Sequence, residues 1–474
     1  MRSSIDFHLN GERVSVRDED PTRTLLTWLR EARGLVGSKE GCAEGDCGAC
    51  TVVLSEIDTS GALRYAPVNS CILCLATLDG REVVTVEGLK PLYDGSLHPV
   101  QQAMVDCHGS QCGFCTPGFV MALYAHHKSD APRTRESLCD AIAGNLCRCT
   151  GYRPILEAGE RSAALAQPQH ERAEDQARAT RLRSLPKDAT LLEAGGKKFF
   201  VPATAEDLAE FLLKNPTATI LAGGTDLGLL LTKAHQDLDL VVYTGKVREL
   251  RSVADEKTHV EIGGAATYGD AYAALAAIHA DFGELVRRLG AVQVRAAGTL
   301  AGNIANGSPI GDSMPVLLAL DASLKLQRGN AVREIPLENF YTGYRKTVLQ
   351  PGEFIRSIRV PKLAGGARFA AYKISKRFDQ DISALCAAFH VDSGKARFGF
   401  GGMAATPLRA RAAERAWAQG VEAACAALAE DFKPLSDFRA SAWYRLTVAQ
   451  NLLRKFDLEN QKTKIETRIL EVAP

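Results

Sequence analysis

The sequence predicts a multidomain α+β protein, and three observations support this fold class. The chain has 474 residues, which the usual domain size divides into about three domains. Its hydrophobic pattern changes from short strand-like segments near the N-terminus to helical spacing after Leu97. Its second half alternates between strand-like and helix-like segments, as α/β domains do.

Residues 1–88 predict a small sheet with one helix. Residues 5–16 have the pattern of two short strands joined by Asn10 and Gly11, a dipeptide typical of a tight hairpin turn. A helix and two more strands are predicted at 20–29, 51–54 and 81–86. A cysteine-rich loop follows the predicted helix.

This loop has the spacing C-x4-C-x2-C, formed by Cys42, Cys47 and Cys50. Plant-type ferredoxins hold a [2Fe–2S] cluster with this spacing and one further cysteine downstream. Glycines within the loop allow sharp bending, since glycine tolerates positive φ. On spacing alone the fourth ligand is Cys71 or Cys74. A structural zinc site is the alternative, but zinc sites usually pair two C-x2-C knuckles, so an iron–sulfur cluster is favoured.

Residues 89–160 predict a helical domain with its own cysteine set. Apolar residues recur at helical spacing from Leu97 to Cys107, and further helices are predicted after Pro117 and Pro132. Four cysteines with C-x2-C and C-x-C spacing lie between these helices, namely Cys112, Cys115, Cys147 and Cys149. Such a set would suit zinc in isolation. Beside a first cluster, a second cluster that relays electrons is the better interpretation.

The remainder divides into an expected linker and two further domains. Residues 161–188 are polar, charged and free of aromatics, which predicts an exposed linker. Residues 189–360 predict an α/β domain with a capping box at Thr204. Residues 361–474 predict a smaller α/β domain, with a strand over 368–374 and a C-terminal helix.

Two glycine-rich stretches in residues 189–360 are candidates for cofactor binding. A predicted strand runs into the loop at 222–227, whose backbone N–H groups could bind phosphate. Small residues at 297–312 would let the backbone approach a flat cofactor, and their polar side chains could contact phosphate or ribose. Ordinary turns are the alternative for both stretches, and each signal alone is weak.

Composition excludes several classes of protein. The net charge of +1 argues against a general nucleic-acid or membrane-surface footprint. No 18-residue apolar run is present, and the N-terminus lacks the apolar core of a signal peptide. We therefore expect a cytoplasmic protein without membrane or nucleic-acid partners. In a reducing compartment, thirteen cysteines indicate metal binding or catalysis rather than disulfides.

Taken together, these motifs resemble the molybdenum hydroxylase (xanthine oxidase) family, in particular the small iron–sulfur and flavin subunits of its bacterial xanthine dehydrogenases. The resemblance runs in family order along nearly the whole chain. It is carried by GCAEGDCGACTV, NSCILC, VEGL, HPVQQAM, HGSQCGFCTPGFVMA, GNLCRCTGYRPI, LAGGTDL, QVRAAGTLAGNIANGSPIGD and YKISKRFDQDIS. It implies a plant-type ferredoxin (β-grasp) domain, a helical [2Fe–2S] domain, an FAD-binding domain of the vanillyl-alcohol-oxidase type and a C-terminal flavoprotein domain.

The resemblance implies the following cofactor ligands. The first cluster would be held by Cys42, Cys47, Cys50 and Cys71, with Cys71 preferred over Cys74 because it follows the pair Asn69-Ser70. The second cluster would be held by Cys112, Cys115, Cys147 and Cys149. FAD would contact the loop Ile220, Leu221, Ala222, Gly223, Gly224, Thr225, Asp226 and Leu227, and also Leu289, Thr299, Asn303, Asn306, Asp312, Ile355 and Lys373. The remaining cysteines, Cys74, Cys107, Cys139, Cys386 and Cys425, have no implied role and are expected to be buried.

Two departures from the vertebrate relatives concern the flavin. Those relatives place an aromatic side chain against the isoalloxazine, where this chain has Leu289. They also carry two arginines in the loop after Lys373, where this chain has Arg377 and Phe378. The resemblance therefore leaves open whether NAD or oxygen is the acceptor.

The resemblance implies an electron-transfer subunit of a xanthine dehydrogenase. Electrons from a molybdenum cofactor on a large partner subunit would pass through both clusters to FAD and then to NAD⁺, while hypoxanthine or xanthine is oxidised to urate. We expect no hydroxylating residue in this chain, and a heterotetramer of two small and two large subunits. The alternatives are a subunit acting on aldehydes, carbon monoxide or aromatic-CoA substrates, a stand-alone reductase, and an iron–sulfur sensor or zinc-binding protein.

Overall fold

The computed structural model describes residues 1–90, 95–164 and 169–460. These residues divide into two compact units. The first comprises Met1–Ser252, Thr267–Gly269 and Gly290–Thr299, and the second contains the rest. Helices and sheets occur in both units, so the prediction of a multidomain α+β protein is confirmed.

The N-terminal part of the first unit is a five-stranded mixed sheet in the order β2-β1-β5-β3-β4. Its strands are β1 (Ile5–Leu9), β2 (Glu12–Val16), β3 (Thr51–Ile57), β4 (Leu63–Asn69) and β5 (Glu82–Val84). The predicted hairpin is confirmed, since Asn10 and Gly11 both have positive φ. The sequence analysis missed β4, which pairs with β3 along its full length.

A short helical segment after residue 24 packs against this sheet. The helix predicted from residue 20 begins later, because the Thr24 side chain caps α1 (Leu25–Thr27), and a π-helix follows over Trp28–Ala32. Leu25, Leu29 and the strand residue Phe7 are fully buried in the core between helix and sheet. This packing sets the position of the cysteine loop at 42–50.

The helical part of the first unit surrounds one hydrophobic core. Its helices are α2 (Val86–Leu89), α3 (Pro99–Asp106), α4 (Thr116–His127), α5 (Arg135–Ile142) and α6 (Arg153–Ala163). The helix predicted from Leu97 begins at Pro99, because the His98 side chain caps it. Phe119 and Met121 of α4 are fully buried, as is Ile155 of α6.

The prediction of an exposed linker at 161–188 is wrong for most of that range. Residues 169–184 form helix α7 (Gln169–Ser184), while residues 165–168 lie outside the described part of the chain. Arg178 is 1% exposed and lies 3.1 Å from the buried carboxylate of Glu82 on β5. Polar composition suggested exposure, whereas Arg178 and Arg181 of this helix face the buried Glu82 on the first sheet.

The first unit ends in a mixed four-stranded sheet in the order β6-β7-β9-β8. Its elements are β6 (Thr190–Ala194), β7 (Lys197–Val201), α8 (Ala205–Lys214), β8 (Thr219–Leu221), α9 (Gly228–Thr232) and β9 (Leu240–Tyr243). The predicted capping box is confirmed, since Thr204 and Asp207 exchange side-chain and backbone hydrogen bonds. Strand β8 runs directly into the glycine-rich loop at 222–227.

The second unit contains a five-stranded antiparallel sheet, ordered β10-β11-β16-β12-β13, and a two-stranded sheet, β14-β15. These strands are β10 (Val253–Asp255), β11 (His259–Gly263), β12 (Ser323–Arg328), β13 (Ala331–Pro336), β14 (Tyr341–Gly343), β15 (Lys346–Thr347) and β16 (Phe354–Pro361). The helices of this stretch of chain are α10 (Tyr268–Ile278), α11 (Ala280–Arg287), α12 (Val292–Ala297), α13 (Leu300–Asn306) and α14 (Ser313–Ala319). Of these, α12 lies within the first unit.

The C-terminal part of the second unit is a four-stranded antiparallel sheet in the order β17-β18-β19-β20. Its elements are β17 (Arg368–Ile374), β18 (Leu385–Asp392), β19 (Lys395–Gly401), β20 (Leu408–Arg409), α15 (Arg411–Ala416), α16 (Val421–Asp431) and α17 (Ala442–Glu459). The predicted strand at 368–374 and the C-terminal helix are confirmed. Phe389, Phe398, Phe400 and Phe456 pack together in its core.

Candidate iron–sulfur and flavin sites

The first cysteine loop connects the π-helix to β3 and brings three thiols toward a fourth. The Cys42 thiol lies beside the thiols of Cys47 and Cys71, and the Cys71 thiol also lies beside that of Cys50. Gly45 and Gly48 have φ of +78° and +69°, a conformation that favours glycine. The four predicted ligands of the first cluster therefore converge.

Neighbouring thiols shift the pKa values within this set. The thiols of Cys47 and Cys71 lower the pKa of the Cys42 thiol. The thiols of Cys42 and Cys50 raise the pKa of the Cys71 thiol. Thiolates are the form in which cysteine binds iron.

Cys74 lies apart from this group. Its side chain is 3% exposed and packs with Phe199 and Val201 of β7. Burial raises the pKa of the Cys74 thiol to about 12. A thiol in these surroundings is a poor metal ligand, so the geometry supports Cys71 as the proposed fourth ligand.

The second cysteine set forms two cross-loop pairs. The thiol of Cys115, just before α4, lies beside that of Cys147, and the Cys112 thiol lies beside that of Cys149. The backbone N–H of Cys147 donates to the hydroxyl of Tyr152, 2.9 Å away. Cys112 and Cys149 are exposed, whereas Cys147 is buried. The set therefore lies at the protein surface.

The two cysteine loops are in direct contact. The backbone N–H of Leu146 donates to the carbonyl oxygen of Cys47 at 3.0 Å. The Asn145 side chain donates to the carbonyl oxygen of Gly48, also at 3.0 Å. No Cβ fits at Gly48, where it would lie 2.1 Å from the carbonyl oxygen of Gly144. Glycines at these positions therefore allow close approach of the loops.

Gln293 of α12 completes this junction. Its side-chain N–H group donates to the Asn145 side-chain oxygen at 2.9 Å and to the Thr51 hydroxyl at 3.3 Å. Gln293 is 1% exposed. The sequence analysis missed both Asn145 and Gln293, although each lies within a stretch that carried the resemblance. A buried amide beside a predicted ligand loop is the signal that could have identified them.

The thiol sets fit [2Fe–2S] clusters in chemistry and in number, since four cysteine sulfurs converge at each site. Among the described residues, one group of three metal-capable side chains has its ligand atoms within 4.8 Å of one another, formed by His98, His127 and Glu171. His98 Nδ1 accepts a hydrogen bond from the Val100 N–H, which leaves the proton on Nε2, facing Glu171. Lys128 donates to Glu171 at 2.8 Å, and His127 Nε2 lies 3.4 Å from the second carboxylate oxygen. Lys128 and two imidazoles therefore surround the buried Glu171 carboxylate.

The predicted phosphate loop follows β8 in the first unit. Gly224 has φ of +75°, and a Cβ at Gly223 would lie 2.2 Å from the carbonyl oxygen of Ala297. Among the described residues, the backbone N–H groups of 223–226 donate to no protein acceptor. Thr299, also in this unit, is buried and pairs with Thr267. Free N–H groups in a tight loop fit a pyrophosphate.

The other predicted flavin residues lie in the second unit. Lys373 donates to the Asp312 carboxylate at 2.6 Å and to the carbonyl oxygen of Arg288 at 3.1 Å. The Asn303 side-chain oxygen accepts from Ser313 at 2.8 Å. Of the remaining three residues, Leu289 and Asn306 are half-buried and Ile355 is buried. Lys373 and Asp312 are therefore a buried ion pair within this unit.

The loop after Lys373, whose sequence differs from that of the vertebrate relatives, is held by two arginines that were not predicted from the sequence. The Arg288 guanidinium lies 4.4 Å from the Phe378 ring centre and donates to the Phe378 carbonyl oxygen at 3.1 Å. The Arg287 guanidinium lies 5.5 Å from the same ring. Arginine–aromatic contacts therefore fix Phe378, which is 44% exposed.

The cysteines without an implied role differ in exposure. Cys74, Cys386 and Cys425 are buried, as expected. The expectation is wrong for Cys139, which is exposed, and for Cys107, which is half-buried. Both lie on or beside amphipathic helices, α5 and α3, whose other faces pack on the core.

Four family profiles match successive parts of the chain. A 2Fe-2S iron–sulfur cluster binding domain matches residues 7–78, and a [2Fe-2S] binding domain matches 85–160. An FAD binding domain in molybdopterin dehydrogenase matches 194–363. A CO dehydrogenase flavoprotein C-terminal domain matches 370–459. The chain thus contains two [2Fe–2S] domains, an FAD-binding domain and a C-terminal flavoprotein domain.

Similar curated proteins are larger than this chain. Xanthine dehydrogenase of Emericella nidulans is 34% identical over 87% of this chain and 35% of its own length. Xanthine dehydrogenase/oxidase of Mus musculus is 30% identical over 98% of this chain and 40% of its own length. The chain therefore spans little more than a third of the relatives it matches.

Solved structures match about half of the chain. Carbon monoxide dehydrogenase of Hydrogenophaga pseudoflava gives a TM-score of 0.51 at 26% identity, over 54% of this chain and 94% of the other. Carbon monoxide dehydrogenase of Oligotropha carboxidovorans gives 0.50 at 27% identity over the same shares. No helix within residues 1–90, 95–164 and 169–460 has the length and apolar character needed to cross a membrane.

Proposed function

Because its four domains fit an iron–sulfur and FAD subunit of the molybdenum hydroxylase family, we propose that this chain serves a xanthine dehydrogenase. In this proposal it carries electrons from a molybdenum centre on a partner subunit to NAD⁺. The eight cysteines hold two [2Fe–2S] clusters, and the glycine-rich stretches hold FAD. FAD supplies the conversion of single electrons into the hydride that NAD⁺ accepts.

One structural observation supports this order most strongly: the first cysteine loop has the second loop on one side and helix α9, which follows the predicted phosphate loop, on the other. On the first side, the Leu146 N–H bonds to the Cys47 carbonyl oxygen at 3.0 Å. On the other, the Thr232 hydroxyl donates to the Ala43 carbonyl oxygen at 2.7 Å, and Leu229 packs against Cys50 and Cys71. In this proposal, electrons therefore pass from the second cluster site through the first cluster site to the flavin.

The protein's own residues have three tasks in this function. Thiols bind the irons, and backbone glycines bring the loops into contact. Buried packing shields the side of the first site formed by Cys50 and Cys71, while Cys42 and Cys47 are half-buried. Cys50 and Cys71 are 1% and 2% exposed, whereas Cys112 and Cys149 are exposed. We infer that electrons enter at the exposed site, where a partner would cover it.

Apolar side chains near the second site suit such a partner. Phe114, Leu146 and Val105 are 47%, 45% and 60% exposed. Phe114 also lies beside the first loop, since a Cβ at Gly41 would be 3.5 Å from its ring. Contiguous exposed apolar groups mark interaction surfaces, and Phe114 and Leu146 each adjoin a cysteine of the second set in sequence. We propose that a large molybdenum subunit covers them, in an assembly of two small and two large chains.

We propose xanthine as the substrate of the complex and NAD⁺ as its electron acceptor because of the similar curated proteins. Proteins named xanthine dehydrogenase match this chain across both iron–sulfur domains and the flavin domains. In this proposal the molybdenum centre lies on a separate partner subunit. A subunit of a carbon monoxide or aldehyde oxidoreductase is the second candidate. It is favoured by the carbon monoxide dehydrogenase structures, although those match only 54% of this chain.

Anaerobic reduction of the natively purified protein tests the proposal. Xanthine should bleach the visible absorption of both clusters and the flavin, and NAD⁺ should restore it. Bleaching by carbon monoxide or an aldehyde, but not by xanthine, would establish the second candidate instead. A purified protein without flavin or iron absorption would contradict both.

A further inference from the structure

A cavity of about 340 Å³ lies in the first unit, away from both cysteine loops. Its walls come from five segments: the end of β3 and the turn after it, the turn before β5, the end of α7 and the chain after it, Ala203 between β7 and α8, and the end of β9 with the chain after it. None of the predicted cluster ligands or flavin residues lines it. Its volume lies within the range of small-molecule sites.

The lining of this cavity carries an excess of positive charge. Three carboxylates line it, from Glu56, Asp58 and Asp79. Six cationic side chains face them, namely Arg81, Arg183, Lys187, Lys246, Arg248 and Arg251. A cleft with this imbalance concentrates anions from solution.

The carboxylates are already engaged by the protein. Glu56 accepts from Arg81 at 2.9 Å and from Arg251 at 2.6 Å. Asp79 accepts hydrogen bonds from Arg2 and Lys246. Burial would raise the pKa of Glu56, but the two arginines outweigh burial and hold this pKa at about 2. Glu56 and Asp79 therefore neutralise cations deep in the cavity.

Asp58 is engaged in a different way. Its carboxylate accepts the backbone N–H groups of Ser60 and Ala62, at 2.8 and 2.9 Å. It thus caps the turn between β3 and β4, and its charge faces that turn. This leaves no carboxylate for the cations at the mouth of the cavity.

Three exposed cations, Arg183, Lys187 and Arg248, form the mouth. Arg183 donates to the carbonyl oxygen of Gly61 at 3.1 Å, and Arg248 to that of Thr59. Among the described residues, none of the three has a carboxylate partner. Guanidinium groups held by carbonyls keep further N–H donors for a ligand, because each carries five.

The rest of the wall is apolar. Ile57 from β3 and Leu182 and Leu185 from the end of α7 line the cavity, together with the ring of Tyr243. The Arg81 guanidinium lies 5.7 Å from the centre of that ring. A cavity with a cationic mouth and an apolar wall suits a ligand that has an anionic group and an apolar body.

We propose that this cavity binds a small organic anion, with a phosphate or carboxylate group at Arg183, Lys187 and Arg248 and an apolar body against Leu182, Leu185 and Tyr243. Arginine binds both headgroups with paired hydrogen bonds. Because the walls belong to the first sheet, to α7 and to the sheet β6-β7-β9-β8, a bound anion stabilises these elements against one another.

Calorimetric titration of the natively purified protein at fixed ionic strength tests the site. The probes are phenyl phosphate, benzoate, inorganic phosphate and the neutral analogue phenol. We expect one site per chain, with phenyl phosphate or benzoate binding more tightly than inorganic phosphate, and no binding of phenol. Whichever aromatic anion binds identifies the headgroup. A rise in the midpoint of thermal unfolding should accompany binding.

The variant Arg183→Gln/Arg248→Gln should weaken this binding by about tenfold or more, since two charge-assisted hydrogen bonds are lost. Arg172→Gln, which removes an exposed charge from the same helix α7, is the matched control and should bind like the parent. Unchanged visible absorption would show that the double variant is folded. Binding of neither aromatic anion, or equal binding by the double variant and the parent, would overturn the proposal.

Discussion

The backbone N–H of Leu146 donates to the carbonyl oxygen of Cys47 across 3.0 Å. Cys47 is a proposed ligand of the first cluster. Leu146 directly precedes Cys147, a proposed ligand of the second cluster. The two sites are thus joined by one hydrogen bond and a short run of covalent bonds. Three glycines, Gly48, Gly118 and Gly144, have no room for a Cβ at this junction.

Gly118→Ala should separate the two loops. A Cβ at Gly118 would lie 2.2 Å from the carbonyl oxygen of Gly48, so the first loop must shift, at a cost of about 1–3 kcal/mol in stability. We expect both clusters to be retained while electron transfer between them slows. Rapid freezing during anaerobic reduction, followed by electron paramagnetic resonance of each cluster, measures this rate.

Gly159→Ala is the control for that experiment. It adds a Cβ in the same domain, but there the nearest atoms belong to the Leu123 and Leu138 side chains, which can move. Its transfer rate should equal that of the parent. Equal rates in the parent, Gly118→Ala and Gly159→Ala would show that contact between the loops does not control electron transfer between the clusters.

Gly223→Ala should remove flavin but leave iron. The added Cβ would lie 2.2 Å from the carbonyl oxygen of Ala297, so the predicted phosphate loop cannot keep its path. We expect FAD content to fall sharply, with iron content unchanged, as measured on the purified protein. Gly365→Ala, where no atom lies within 4 Å of the new Cβ, should keep both. Full FAD content in Gly223→Ala would argue against a flavin site at 220–227.

Arg178→Met should destabilise the first unit. Glu82, 0% exposed, lies 3.1 Å from the Arg178 guanidinium and 3.5 Å from that of Arg181. A buried carboxylate that loses the nearer of its two partners costs up to about 3 kcal/mol. Chemical unfolding followed by circular dichroism measures this loss. Arg178→Met combined with Glu82→Leu should recover most of it, and Arg172→Met, an exposed position on α7, should lose nothing. If Arg178→Met/Glu82→Leu were no more stable than Arg178→Met alone, the stabilising ion pair between Arg178 and Glu82 would be refuted.

His126 should make the protein less stable in acid. Burial, aided by Arg133, lowers the pKa of His126 to about 4 from 6.5. The unfolded chain therefore takes up the proton first, and the contribution of His126 is complete above pH 6.5 and lost as the pH falls toward 4. This contribution is worth up to about 3 kcal/mol.

Thermal unfolding of His126→Gln between pH 7 and pH 4.5 tests this sign. The variant should lose less stability than the parent over that interval, and part of the dependence should persist because the pKa of His98 and of His390 is also lowered by burial. His235→Gln, at an exposed position, should follow the parent. If His126→Gln lost more stability than the parent between pH 7 and pH 4.5, the predicted sign of the His126 contribution would be wrong.

Local sequence signals predicted the parts of the fold that depend on local interactions. The Asn10–Gly11 turn needs two residues with positive φ, and the capping box at Thr204 needs a partner three residues later, so both could be identified in the sequence. Cysteine spacing likewise predicted two sets of thiols, because each loop is short. Choosing Cys71 over Cys74 required the resemblance, since spacing did not distinguish them.

Long-range contacts could not be predicted in this way. Gln293 bonds to Asn145 across 148 residues of chain, and no local pattern indicates such a pair. The charged helix α7 has the composition of a solvated segment, yet Arg178 finds Glu82 and Tyr65 about a hundred residues earlier. Charge alone does not distinguish an exposed helix from one that neutralises buried groups.

Cofactor content of the natively purified protein tests the central claim most directly. Iron, acid-labile sulfide and FAD should be measured per chain, with paramagnetic resonance of the dithionite-reduced protein. The account predicts four irons in two [2Fe–2S] clusters, one FAD and two distinct cluster signals. Zinc in place of iron, or a single cluster signal without FAD, would contradict it.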